Sequence, residues 1–296
     1  FGPVASANIA LANYNEAQTN LDSADVIFKE KNLTNDYRYT FYLLQKASLL
    51  ERLCEYQDAK TVLQDVLKLS TKHYDFNDPL LIPIYVNLSD VELKLEQWES
   101  AQTFLDSAYS VADYNYDSSA VQLLGLQMSS AYYHYLKNEI NAADSVYNLC
   151  TKILKMNHMM ETFYFPEKLN GEALLEIRKN KRTRADSVFT KAIHMYSHFL
   201  RSNHPNISIM KLNSLENKLD LGKLKDVEKG IIQVEQSIIE TVGVEHGLYA
   251  DLLVLKSKLA GVKKDKEKAK SLKKQALEIY KLYYPMDHSK IQELVK

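Results

Sequence analysis

His194 and His198 stand at i and i+4, so they share one face of any helix that carries them. That spacing can grip a zinc ion. The phrase reads His-Met-Tyr-Ser-His, without the glutamate of a zinc protease, and no third ligand is fixed by spacing. The pair is read as surface or packing histidines, and no metal is expected. The two cysteines, Cys54 and Cys150, make no disulfide framework. A cysteine nucleophile needs His and Asn or Asp partners, and the spacing supplies none. There is no Gly-x-Gly-x-x-Gly or Walker-type loop to cradle a nucleotide. Carboxylates are plentiful but carry no acid–base signal without a pocket. The expectation is no catalytic residue, no cofactor and no enzymatic activity.

Binding chemistry is better represented. Arg178, Lys179, Lys181, Arg182 and Arg184 crowd one short stretch, and Lys263, Lys264 and Lys266 open another, 84 residues later. Such runs are ordinarily solvated turns; their alternative use is to steer an acidic partner. Tyrosine is abundant, 20 of 296 residues, with Tyr132, Tyr133 and Tyr135 close together and Tyr114, Tyr116, Phe163, Tyr164 and Phe165 in two further groups. Tyrosines pack between helices or anchor a bound peptide with large area at low entropy cost.

These residues need elements to hold them. Gly and Pro together number 14 of 296, too few for the turns of a sheet protein, and 46% of residues are hydrophobic, enough for a core. No run of 18 apolar residues exists, so no membrane span is expected. The charge is uneven: residues 1–150 carry 10 Lys+Arg against 20 Asp+Glu, and residues 151–296 carry 27 against 18, giving −10 and +9 within a total of −1.

The chain repeats. Ala17, Ala59, Ala101, Ala143, Ala185, Val227 and Ala269 stand 42 residues apart. Four residues later come Leu21, Leu63, Leu105, Tyr147, Phe189, Ile231 and Lys273, and seven later Ala24, Val66, Ala108, Cys150, Ala192, Val234 and Ala276. Offsets of four and seven lie on one helix face. Twelve before each anchor stands a residue that is small in six of seven cases: Ala5, Ala47, Ser89, Ala131, Ala173, Leu215 and Ser257. That column belongs to an earlier helix, which can approach closely there. The unit is helix, turn, helix, and one unit cannot bury its apolar face alone, so neighbours must stack. Val227 predicts wider packing in the sixth repeat. Lys273 suits a terminal repeat with a solvated face.

This pattern resembles the tetratricopeptide repeat (TPR). The small first-helix column, the Ala-Leu/aromatic-Ala/Val set in the second helix and an apolar residue three before the anchor (Tyr56, Trp98, Ile140, Leu224) carry the resemblance. The usual unit is about 34 residues; a period of 42, with Asp78-Pro79, His204-Pro205, His246-Gly247 and Asp287-His288 between repeats, is similar to the kinesin-light-chain subclass. The recurrence of His204, His246 and His288 in an inter-repeat turn argues for capping the next helix. The departures are Lys46, Glu172 and Lys256 in a column that is bulky in the family. The resemblance implies an all-α right-handed superhelical solenoid of about seven antiparallel helix pairs, a single repeat domain over 1–296. Phe1 falls inside a first helix and residues 288–296 read as the start of another, so the chain is expected to be part of a larger protein.

The resemblance further implies a concave groove lined by first helices. Met128, Tyr132, Tyr135, Asn170 and Leu212 are the expected contacts for a peptide or protein ligand. Some TPR proteins clamp a C-terminal carboxylate with Lys and Asn on first helices. The corresponding column here is Leu44, Val86, Met128, Asn170, Leu212 and Val254, so that clamp is not expected. The expected function is a non-catalytic protein- or peptide-binding scaffold in the cytoplasm. The alternative is the sensing region of a multidomain bacterial protein: a CHAT-type protease, a signalling kinase or a peptide-responsive transcription regulator. A partner acidic toward the C-terminal half and head-to-tail self-association both follow from the charge halves, whereas nucleic acid is not expected.

Overall fold

The structure is a computed structural model that describes residues 2–295; Phe1 and Lys296 lie outside the described residues, and with them the expectations placed there. All regular structure among the described residues is helical. Seven pairs run in order: α1 Gly2–Ala10 with α2 Tyr14–Glu30; α3 Tyr37–Arg52 with α4 Tyr56–Ser70; α5 Leu81–Lys94 with α6 Trp98–Asn115; α7 Leu124–Leu136 with α8 Ile140–Met156; α9 Tyr164–Arg178 with α10 Arg182–Tyr196; α11 Pro205–Asp220 with α12 Leu224–Thr241; α13 Gly247–Val262 with α14 Lys266–Tyr280. A further helix, α15 Ser289–Val295, follows one period after the start of α13. A 3₁₀ turn, Val121–Leu123, leads into α7. The chain divides into two compact units, residues 1–133 and 134–296.

The anchors explain the pairing. Ala17, Ala59, Ala101, Ala143, Ala185 and Val227 are all 0% exposed, and Ala269, in the last full pair, is partly exposed. The first-helix column opposite them is buried throughout, and where it is serine the hydroxyl adds a bond: Ser89 Oγ donates to the Ala101 carbonyl at 3.0 Å and Ser257 Oγ to the Ala269 carbonyl at 2.9 Å. The sixth repeat, with Val227 and Leu215 in these columns, is accommodated by Gly230. A Cβ there would lie 2.3 Å from Leu215 Cδ2, so glycine on one helix makes room for leucine on the other. Tyr147 reaches over Gly171 in the same way, its hydroxyl 2.1 Å from where a Cβ would stand.

Each pair closes through one backbone device. Residues 12, 54, 96, 138, 180, 222 and 264 all have positive φ, between 58° and 74°, and they recur at the period of 42. The next residue in each turn donates its amide to a carbonyl five residues back: Asn13 to Asn8, Glu55 to Leu50, Gln97 to Glu92, Glu139 to His134, Lys181 to Glu176, Lys223 to Lys218 and Asp265 to Ala260, all at 2.8–2.9 Å. This satisfies first-helix carbonyls that would otherwise be orphaned. Only position 222 is glycine; a non-glycine residue in this conformation costs about 1 kcal/mol.

Entry into the first helices is periodic too. Asp36, Asp78, His204, His246 and His288 fall in one column, and each side chain accepts the amide two residues on, at 2.9–3.2 Å. The three histidines are buried and act as helix caps, with Nδ1 as acceptor. In four repeats, side chains at another column tie the end of the second helix to the preceding inter-repeat turn: His73 Nε2 lies 2.8 Å from the Asn35 carbonyl, and Asn115, Thr241 and Tyr283 donate to the carbonyls of Asn77, Asn203 and Glu245 at 2.7–2.9 Å.

Candidate binding surfaces

The first helices carry the expected ligand contacts, but not as one cluster. In the first unit Met128 and Tyr132 sit one turn apart on α7, both half-buried, with Lys94 Nζ 5.3 Å from the Tyr132 ring centre. Tyr133, next to Tyr132, turns inward and its hydroxyl donates to Gln102 Oε1 at 3.0 Å. In the second unit the Arg178 guanidinium lies 5.2 Å from the Tyr135 ring centre. Asn170 Oδ1 accepts from Asn213 Nδ2 at 3.3 Å, which joins α9 to α11 on their first-helix face. Leu212 is 7% exposed and belongs to the core of the sixth and seventh repeats, with Leu248, Leu252 and Leu255.

Leu212 also forms the floor of a cleft of about 260 Å³ between α11 and α13, together with Val254 and Leu255. Two charge pairs border it. Lys258 Nζ meets Glu216 Oε1 at 2.5 Å across the two helices. Asp251 Oδ1 accepts from the Tyr280 hydroxyl at 2.5 Å and from Lys290 Nζ at 2.6 Å, so α13, α14 and α15 meet at one carboxylate. Lys290 also lies 5.0 Å and 5.4 Å from the ring centres of Tyr280 and Tyr284. Burial by itself would lower the Lys290 ammonium, but the Asp251 carboxylate and the two phenols outweigh it and hold its pKa well above the ordinary value. Burial first, then Asp251, pushes the Tyr280 phenol up. Asn213, Asp251, Lys258 and Lys290 were not among the sequence expectations. Glu216 and Lys258 share a repeat column, and reading the columns for opposite charges would have found them.

The two basic turns differ. In the first, Lys179 Nζ meets Asp144 at 2.6 Å and Glu176 at 3.4 Å, Arg182 meets Asp220 at 2.7 Å, and Arg184 Nε lies 3.4 Å from Glu176. Arg178 is engaged by Tyr135, leaving Lys181 exposed. In the second turn Lys263 meets Glu228, and Lys264 and Lys266 are exposed.

The reactive residues are placed for packing. His194 and His198 are exposed, ring centres 4.9 Å apart, edge to face. Among the described residues no three His, Cys, Asp or Glu are grouped to hold a metal ion. Cys150 is fully buried, and that burial pushes its thiol up to about 12, away from the thiolate a nucleophile needs. Cys54 is a buried turn residue at φ 66°. Among the described residues no helix is long and apolar enough to cross a membrane.

No family model matches the sequence, and no curated protein matches it. Solved structures do. NprR in complex with its cognate peptide NprX is similar over 99% of this chain and 82% of its own, at TM-score 0.67 and 14% identity. A Rap protein complexed with competence and sporulation factor is similar over 99% and 94%, at TM-score 0.63 and 7% identity. A tetratricopeptide repeat protein from Parabacteroides merdae is similar over 99% and 95%, at TM-score 0.53 and 17% identity. With helix pairs at a constant period of 42 and buried small-residue anchors, the chain has the fold of an all-α TPR-type repeat solenoid.

Proposed function

We propose that this chain is a non-catalytic scaffold that binds a peptide or an extended protein segment along its first-helix face. The observation that carries the reading is the cleft between α11 and α13, with its floor of Leu212, Val254 and Leu255. Apolar side chains of a ligand gain about 25 cal/mol per Å² of area buried there. The amides of Asn170 and Asn213 offer both donors and acceptors to a peptide main chain. The Glu216–Lys258 and Asp251–Lys290 pairs at the border favour one ligand orientation over the reverse. Two structures of the same fold are complexes, NprR with its cognate peptide NprX and a Rap protein with competence and sporulation factor, and this supports the reading. Tyr135 is a further proposed contact within the second unit, and Met128 and Tyr132 form a proposed contact patch of their own in the first. Capture of this kind also serves the sensing region of a multidomain regulator, where a bound peptide would alter a neighbouring domain.

The test is a peptide-library screen by fluorescence anisotropy, repeated with Asn213→Ala and Val254→Glu. Selected peptides should bind each variant about tenfold or more weakly. Undiminished binding to both would place the ligand elsewhere.

A further inference from the structure

We propose that copies of this chain bind one another by laying the lysine face of α14 in one copy against the acidic face of α6 in the next. On the lysine side, Lys264, Lys266, Lys268, Lys270, Lys273 and Lys274 are all exposed, and among the described residues none of their ammonium groups has a carboxylate partner. Lys266, Lys270 and Lys273 follow the i, i+4, i+7 spacing of one helix face. Lys273 stands in the column that the six earlier repeats fill with buried Leu, Tyr, Phe or Ile.

On the acidic side, residues 95–136 contain no Lys or Arg over a full period. Within them Glu99, Asp106 and Asp113 recur every seven residues and so share one face of α6, all exposed and none with a cationic partner among the described residues. The hydroxyls beside them are committed inward: Thr103 Oγ1 donates to the Glu99 carbonyl and Ser107 Oγ to the Thr103 carbonyl, both at 2.9 Å. The charge that α6 presents outward on this face is therefore negative. A groove of about 440 Å³ runs beside Asp106, bordered by Tyr85 and by Phe76, which is 82% exposed. The Phe76 turn is fixed to α6 through Asn115 Nδ2 and the Asn77 carbonyl, 2.7 Å apart. Carboxylates and aromatic faces together suit an ammonium group.

The occupant follows from charge. Three of the five cations of the other basic turn, Lys179, Arg182 and Arg184, face Asp144, Glu176 and Asp220 of their own chain, so α14 is the larger lysine surface left for a partner. The same sequence holds its complement on α6. Because the two faces are different patches, the contact is heterologous and assembly continues past the dimer unless it closes into a ring.

Sedimentation velocity of the full chain tests this over a wide concentration range at about 20 mM and about 500 mM NaCl, which shortens the screening length severalfold. Association that grows with concentration at low salt and weakens about tenfold or more at high salt is expected. Asp106→Lys/Asp113→Lys and Lys270→Glu/Lys273→Glu should each remain monomeric alone, with thermal melts like the unaltered chain, and should associate again when mixed. A monomer at every concentration in low salt, association that survives both reversals, or failure of the mixture to associate would each overturn the proposal.

Discussion

The Arg178–Arg184 and Lys263–Lys270 turns occupy the same register two periods apart, close with the same backbone bond and carry similar charge. They differ in what surrounds that charge. Glu176, buried at the end of α9, sits between Lys179 and Arg184. The residue 84 positions later is Ala260, so Lys263 and Lys268 have no such carboxylate between them. Asp220, which receives Arg182, comes from the helix that follows, whereas Lys266 lies in the last full pair. Counting charges along a repeat protein therefore overstates what a partner can use. The available charge is what neighbouring repeats leave unmatched.

The largest effect should come from opening the closed turn. Glu176→Ala removes the shared carboxylate and is expected to destabilise the second unit by about 2 kcal/mol in urea unfolding. An unchanged midpoint would mean that Asp144 and Asp220 hold the turn without it. A smaller effect, of opposite sign, separates the two turns at their left-handed residue. Lys264→Gly should stabilise by about 0.5–1 kcal/mol, while Asn180→Gly should change little, because asparagine tolerates that conformation. Equal gains at both sites would show that side-chain type does not matter there. The smallest effect should be on the open turn's own charges. Lys270→Glu/Lys273→Glu is expected to leave monomer stability within about 0.5 kcal/mol, since these side chains touch no partner in their own chain. A large loss would show that the lysines are structural.

The period, the helix pairs and the capping histidines were legible in the sequence, because repeated columns turn weak local signals into a consistent one. The left-handed turns were not legible from residue type. Ala12, Cys54, Glu96, Asn138, Asn180, Gly222 and Lys264 share no chemistry, and only register links them. The proposed contact face was half legible. Offsets placed Met128, Tyr132 and Tyr135 on a first helix, but Tyr133, one residue away, packs inward, and no local rule singles it out. The Asp251–Tyr280–Lys290 cluster was hidden because its members come from three helices and share no column.

The turn bonds that join the helices of each pair run from backbone to backbone and demand only a conformation at one position. This makes each turn a neutral joint at which the gene can be cut. A deletion or duplication of 42 residues between two such joints keeps every buried column in phase, while a change of 41 or 43 puts the junction itself out of register. The number of repeats can thus change in whole steps, each inserting or removing one complete helix pair.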